Sequence, residues 1–224
     1  MNSYVALTSL RIKCPWGYYC GLLKMLKNSL LGTTAKKNNA ARIAAKNQEA
    51  THVLIDRQIR DLCVNKGMIS PYSEAAVQPC SYDIHLGKTI QIERPDGFHR
   101  HDLSPYSKEN PLLIKPGVFF LAETVEHVNL PDNVEAHLHL VSSRAREGLQ
   151  HLLAGLVDCG WNGVLTLELK NVLQYGSIPI YPNLRVAQLT FFEYLENAQR
   201  PYRGRYFGDT GVNRVKDGSD LLQL

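Results

Sequence analysis

The stretch Val134-Glu-Ala-His-Leu-His-Leu-Val141 alternates apolar and polar residues with a period of two. Val134, Ala136, Leu138 and Leu140 fall on one face of an extended chain, and Glu135, His137 and His139 on the other. Val164-Leu-Thr-Leu-Glu-Leu-Lys-Asn171 repeats the pattern, setting Leu165, Leu167 and Leu169 against Thr166, Glu168 and Lys170. Strands that bury one face and wet the other belong to antiparallel sheets. These two segments decide the fold class.

Further strands are expected at residues 89–93, 117–123, 178–181 and 186–193. Turn chemistry separates them at Pro95-Asp-Gly, Lys115-Pro-Gly, Leu130-Pro-Asp-Asn, Asp158-Cys-Gly and Tyr181-Pro-Asn. One helix is expected within residues 52–66, where Ile55, Ile59, Leu62 and Cys63 share a face before Gly67 stops it. Sixteen Gly and eleven Pro in 224 residues suit a turn-rich chain. The expectation is an all-β, distorted jelly-roll-like β barrel with one or two short helices.

Charge divides the chain at residue 50. Residues 1–50 carry eight Lys/Arg and one Glu, a net +7, which leaves −3 for residues 51–224. The overall +4 is therefore a property of the first segment and does not mark the whole chain as a nucleic-acid binder. Residues 1–50 read as a basic N-terminal extension, disordered or helical, able to touch nucleic acid or an anionic surface; residues 51–224 read as the folded domain. No run approaches the roughly 18 apolar residues of a membrane span. Five cysteines without a clear export signal point to reduced thiols and a cytoplasmic setting.

Several chemistries are absent from the sequence. It contains no H-x-E or C-x-x-C of zinc-dependent deaminases, no phosphate-binding glycine loop and no G-x-S-x-G elbow. His137 and His139 share a strand face, a pair more often exposed or at an interface than metal-bound. His99 and His101 are expected in a solvated loop. Val141-Ser-Ser-Arg-Ala-Arg-Glu-Gly148 carries a strand end into a helical turn. Ser142 and Ser143 there either cap the turn or, with Arg144 and Arg146, hold phosphate oxygens. Glu168 is either a solvated strand residue or a carboxylate facing a cleft and able to transfer protons.

Taken in order, VSSRAREGL, AGLVDCGWNGVLTLELKN, RVAQLTFFEY and RPYRGRY resemble the successive motifs of the dCTP deaminase family, within the trimeric deaminase–dUTPase superfamily. VLIDRQI, VQPCSYDIHLG and KPGVFFLAETVEHVNLP resemble its preceding segments, so the resemblance runs from Val53 to Gly211. It implies a homotrimer with active sites between subunits. It also implies metal-free hydrolytic deamination of dCTP to dUTP and ammonia, with Mg²⁺ arriving on the triphosphate. By motif, Glu168 would activate water, with Ser142 and Arg146 supporting the reacting site. Ser143, Arg144, Ala154, Asp158, Gln188, Tyr202, Arg205 and Tyr206 would bind substrate. A dUTP hydrolase, a bifunctional enzyme and a non-enzymatic trimer stay open as alternatives. The chain departs from the family pattern where Val141 replaces an Arg, Ala154-Gly155-Leu156 stands for Ala-His-Arg, Cys159 replaces Pro, and Asp209 replaces Gln, setting a carboxylate where it would repel a triphosphate; the stretch between Leu149 and Ala154 is also one residue short. Arg144, three residues after Val141, is a candidate replacement cation.

Overall fold

A computed structural model describes residues 52–152 and 154–216; the expectations for residues 1–50 fall outside the described residues. In chain order the elements are β1 (His52–Val53), α1 (Asp56–Lys66), β2 (Ile69–Ser70), a 3-10 turn (Glu74–Ala76), β3 (Val77–Gln78), β4 (Ser81–Arg94) and β5 (Gly97–Asp102). There follow β6 (Leu112–Ile114), β7 (Phe119–Asn129), β8 (Val134–Leu140), α2 (Ser142–Arg146) and β9 (Leu149–His151). The last are β10 (Leu156–Val157), β11 (Asn162–Asn171), β12 (Ile178–Ile180) and β13 (Arg185–Glu193).

One large sheet carries the fold, in the order β10-β8-β13-β4-β7-β11-β9, while β12 and β6 form a small second sheet. The 14-residue strand β4 joins its halves: Tyr82–His85 pair with β13, and the later residues pair with β5 and β7. Between these halves the β4–β7 register slips, because Leu86 faces Thr124 while Ile90 faces Ala122. Glutamate carboxylates replace the lost ladder acceptors. Glu126 accepts the His85 N–H at 2.9 Å, and Glu123 accepts the Thr89 N–H at 2.9 Å. Gly87 lies inside the slip, where a Cβ would stand 2.3 Å from Glu123 Cγ.

The core fills from the apolar face of each strand. Ile84, Ile90 and Ile92 of β4 join Phe120 and Ala122 of β7, Leu167 and Leu169 of β11, and Leu189 and Phe191 of β13, all buried. Each large side chain so buried stabilises the fold by about 1.5–3 kcal/mol. Helix α1 adds Ile59 and Cys63, and Gly67 at φ 64° ends it as the sequence predicts. The mostly β expectation therefore holds.

Three local expectations are corrected. The helix begins at Asp56, because His52 and Val53 pair with Glu193 and Phe192; Ile55 becomes its N-cap and is half exposed rather than on the buried face. His99 and His101 lie on β5, paired with Ile92 and Ile90, not in a loop. Their strand character comes from the hairpin across Pro95-Asp-Gly, which a polar run does not reveal. Neither Ser142 nor Ser143 is an N-cap: Val141 occupies that place, with no side-chain cap bond, and the serines form the first turn.

Candidate functional site

The outward face of β7 and β11 is the floor of a cavity of about 470 Å³, a volume within the usual range of small-molecule sites. Phe119 and Leu121 of β7 and Val164, Thr166 and Glu168 of β11 lie along it. Leu138, Ala154, Leu156 and Trp161 line it as well. The walls are largely apolar, so a planar uncharged ring would be desolvated there at little cost.

The roof is the chain's own C-terminal segment. The Tyr202 N–H donates to Cys159 O at 2.8 Å, with its ring centroid 5.2 Å from that of Trp161. The Gly208 N–H donates to Asn162 O at 2.7 Å, and the Val164 N–H to Asp209 O at 2.8 Å, so the segment runs as a parallel bridge beside β11. Beyond it, the Asn213 N–H donates to Thr166 Oγ1 at 3.2 Å, and the Val212 N–H to Glu123 Oε2 at 3.3 Å. Tyr206, Asp209, Asn213 and Arg214 thereby overhang the cavity. The carboxylate of Asp209 is buried and bonded by Lys216 Nζ, whose ammonium also stands 5.3 Å over the Tyr206 ring. The charge that Asp209 brings to this segment is thus paired with a cation.

Glu168 is the carboxylate on this floor. It projects opposite Leu121, away from the core that Leu167 and Leu169 enter, as the period of two predicts. Its side chain is 29% exposed. Oε2 is buried without a hydrogen bond, whereas Oε1 stays open to solvent and bonds no described residue. A carboxylate with one open oxygen on an apolar wall is equipped to take and return a proton.

Of the sequence-predicted residues, the cavity brings together Glu168, Ala154 and Tyr206. Ser142, Ser143 and Arg146 stand exposed on α2, outside its lining, and Arg146 bonds no described residue. Arg144 is held by Glu147 at 2.6 Å, with its side chain only 17% exposed, so it is not a freely solvated cation. Asp158 is exposed at the turn after β10. Gln188 sits on β13 between Asp83 and His139, on the other half of the sheet. Tyr202 and Arg205 belong to the roof segment without lining the cavity, and the Arg205 carbonyl accepts from Lys216 Nζ at 3.1 Å.

Sequence reasoning missed Thr166, Asn213, Arg214 and Lys216, because their roles depend on where the C-terminal segment lands. Gly155 carried a signal read only as a departure from pattern: a Cβ there would lie 2.7 Å from Leu138 O, so this close strand approach requires glycine. His137 and His139 do share a face, with ring centroids 6.4 Å apart, and His137 rests against Phe192 at 4.7 Å. Cys63, Cys80 and Cys159 are unpaired. Among the described residues, no helix is long and apolar enough to cross a membrane.

A family model described as dCTP deaminase-like matches residues 53–194. Among curated relatives, a protein of Persephonella marina (strain DSM 14350 / EX-H1) named "dCTP deaminase, dUMP-forming" is 35% identical over 171 residues, covering 71% of this chain and 94% of its own. Its namesake in Methanosphaera stadtmanae is 34% identical over 194 residues, covering 76% of this chain and 97% of its own. The crystal structure of 2'-deoxycytidine 5'-triphosphate deaminase from Agrobacterium tumefaciens superimposes with a TM-score of 0.54 at 21% identity, over 64% of this chain and 48% of that one. That likeness concerns the fold. With a matched model over most of its length and relatives above 30% identity, this chain belongs to the dCTP deaminase-like family.

Proposed function

We propose that this chain deaminates dCTP and carries the nucleotide on to dUMP. The observation that carries the reading is Glu168, a carboxylate lining an apolar cavity large enough for a pyrimidine. Glu168 takes a proton from water, and the hydroxide adds to C4 of cytosine. Glu168 passes that proton to N3 and then carries the proton of the new C4 hydroxyl to the amine; ammonia leaves, and the C4 carbonyl and N3–H of uracil remain. One water is consumed and dUTP is formed. A second water then adds to the α-phosphorus, releasing pyrophosphate and dUMP, with Asp158 assigned as the carboxylate for that step.

Sequence alone pointed to dUTP as the final product. The relatives' names give dUMP, so the bifunctional alternative replaces it. The triphosphate, with Mg²⁺ riding on it, is assigned to Ser142, Ser143 and Arg146. Their place outside the Glu168 cavity supports a site completed by a second copy, in a homotrimer. Arg205 and Tyr202, on the roof segment, are assigned to substrate binding with them. The unpaired thiols suit the cytoplasm, where such nucleotides occur.

Purified protein incubated with dCTP and Mg²⁺, with products resolved by chromatography, tests the reading. Ammonia, pyrophosphate and dUMP in equal amounts are expected. Accumulating dUTP would make the chain a deaminase only. Turnover of dUTP but not dCTP would make it a hydrolase. Inertness toward both would favour a non-enzymatic role, for which the lost cations at Val141 and Leu156 argue. Light scattering should give three copies, and a monomer would remove the shared site.

A further inference from the structure

We infer that His151 is a positioning residue for Glu168, an inference that rests on the reading of Glu168 as the proton-transferring carboxylate. Strand β9 is an edge strand that places His151 opposite Leu169 of β11, one residue beyond Glu168. The next backbone N–H, that of Leu152, donates to Glu168 O at 3.2 Å. The main chain is thus pinned to β11 on both sides of the ring. The His151 side chain is 7% exposed, and its Nε2 lies 3.5 Å from Glu168 Oε2.

Both of those atoms are buried, and neither has another hydrogen-bond partner among the described residues. A bridging water needs about 5.5 Å between the groups it joins, so none fits between them. Buried polar atoms find partners, and here each has only the other within reach. A small ring rotation turns the contact into an Nε2–H···Oε2 hydrogen bond. That bond fixes the carboxylate plane and leaves Oε1 outside it. His151 lies outside the lining of the cavity, behind Glu168. Its proton stays on Nε2 throughout, while Glu168 alone exchanges protons with water and cytosine. Second-layer residues of this kind set the geometry of the groups that react.

His151→Leu keeps apolar bulk and removes the donor, whereas His151→Gln returns an amide N–H near the position of Nε2. Misplacement of a reacting group by about 1 Å costs roughly a hundredfold in rate. His151→Leu is therefore expected to lower kcat about 10- to 100-fold with KM for dCTP nearly unchanged, and His151→Gln to recover most of that loss. Wild-type turnover in His151→Leu, or an equal loss in His151→Gln, would reduce His151 to packing. Glu168→Gln, assayed beside them, separates the two readings. If it turns over normally, the assignment of Glu168 fails; if it is inactive while His151→Leu is normal, only the role of His151 fails. Long-range ¹H–¹⁵N spectra of histidine-labelled protein give an answer independent of turnover and of whether His151→Leu folds. The Nε2-protonated tautomer is expected for His151, with its resonance displaced by Glu168→Gln. An Nδ1-protonated neutral ring would overturn the inference.

Discussion

Glu123 accepts the backbone N–H of Val212 at 3.3 Å, across 89 residues of sequence, while its other oxygen holds the Thr89 N–H at 2.9 Å. One carboxylate thus repairs the register slip in β4 and ties down the segment that roofs the cavity. Beside it, Gln91 Nε2 donates to Val212 O at 3.1 Å, so the Val212 peptide is gripped from both sides.

Glu123→Ala should loosen both ends of that arrangement. An unmet buried donor costs about 1–3 kcal/mol, and the Thr89 N–H loses its acceptor within the sheet. The melting temperature should fall, and trypsin should cut sooner after Arg205, Arg214 and Lys216, which lie on the released segment. Glu123→Gln retains one acceptor oxygen and should lose less. Unaltered proteolysis in Glu123→Ala would show that the roof is held without this carboxylate.

The two arginines of α2 should behave differently. Arg146 is exposed and bonds no described residue, whereas Arg144 is engaged by Glu147. A charge-assisted bond to phosphate is worth about 1.5–3 kcal/mol, or roughly ten- to a hundredfold in affinity. Arg146→Ala should raise KM for dCTP by about that factor and leave deoxycytidine, which has no phosphate, little affected. Arg144→Ala should have the smaller effect on dCTP. The reverse order would mean that Arg144 leaves Glu147 to replace the cation absent at Val141.

His85 brings a pH dependence. Its Nδ1 lies 2.7 Å from Glu126 Oε1, and the hydrogen bond to that carboxylate raises the imidazole above its ordinary value, against the opposing effect of burial. Asp83 adds to the rise, and Arg185 opposes it. A group whose pKa is higher folded than unfolded contributes its full stabilisation below the unfolded value, about 6.5, and loses it as pH climbs through the folded value. The stability advantage of wild type over His85→Gln should therefore be largest near about pH 6 and shrink toward about pH 8. Melting temperatures of both proteins across that range decide it; a constant gap would detach the pair from the titration.

How much of this was legible beforehand follows from the physics of each part. Val134–Leu140 and β11 announce themselves because one face of each is buried and the other is not, and the same alternation aims Glu168 outward. β5 hides because Phe98-His-Arg-His-Asp102 has no apolar period; its pairing with β4 alone makes it a strand. The 14-residue reach of β4 is masked by Gly87 and Lys88 at the slip, where carboxylates from β7 stand in for a backbone partner. Asp209 read as an isolated charge because Lys216 is seven residues away with no helical or strand period to link them. His151 drew no notice for a similar reason. Only the β9–β11 register brings it to Glu168.

The Asp209–Lys216 pair yields the last prediction. Asp209 overhangs the cavity, and its carbonyl forms the bridge to β11, so the residue is fixed in place whatever its charge. With Lys216 bonded to the carboxylate, the pair presents little net charge to an incoming phosphate chain. Lys216→Met removes the cation and leaves the anion on the roof. A like charge disfavours a triphosphate far more than a neutral nucleoside, and salt screens the effect where solvent reaches it. KM for dCTP should rise several-fold at low salt, less at high salt, and hardly at all for deoxycytidine. Asp209→Gln combined with Lys216→Met should bring KM back toward the wild-type value, since both charges are then gone. The single change Asp209→Gln should leave binding equal or tighter, with Lys216 freed toward the phosphates. If the double variant binds no better than Lys216→Met alone, the lysine acts by holding Tyr206 and the roof backbone rather than by cancelling charge.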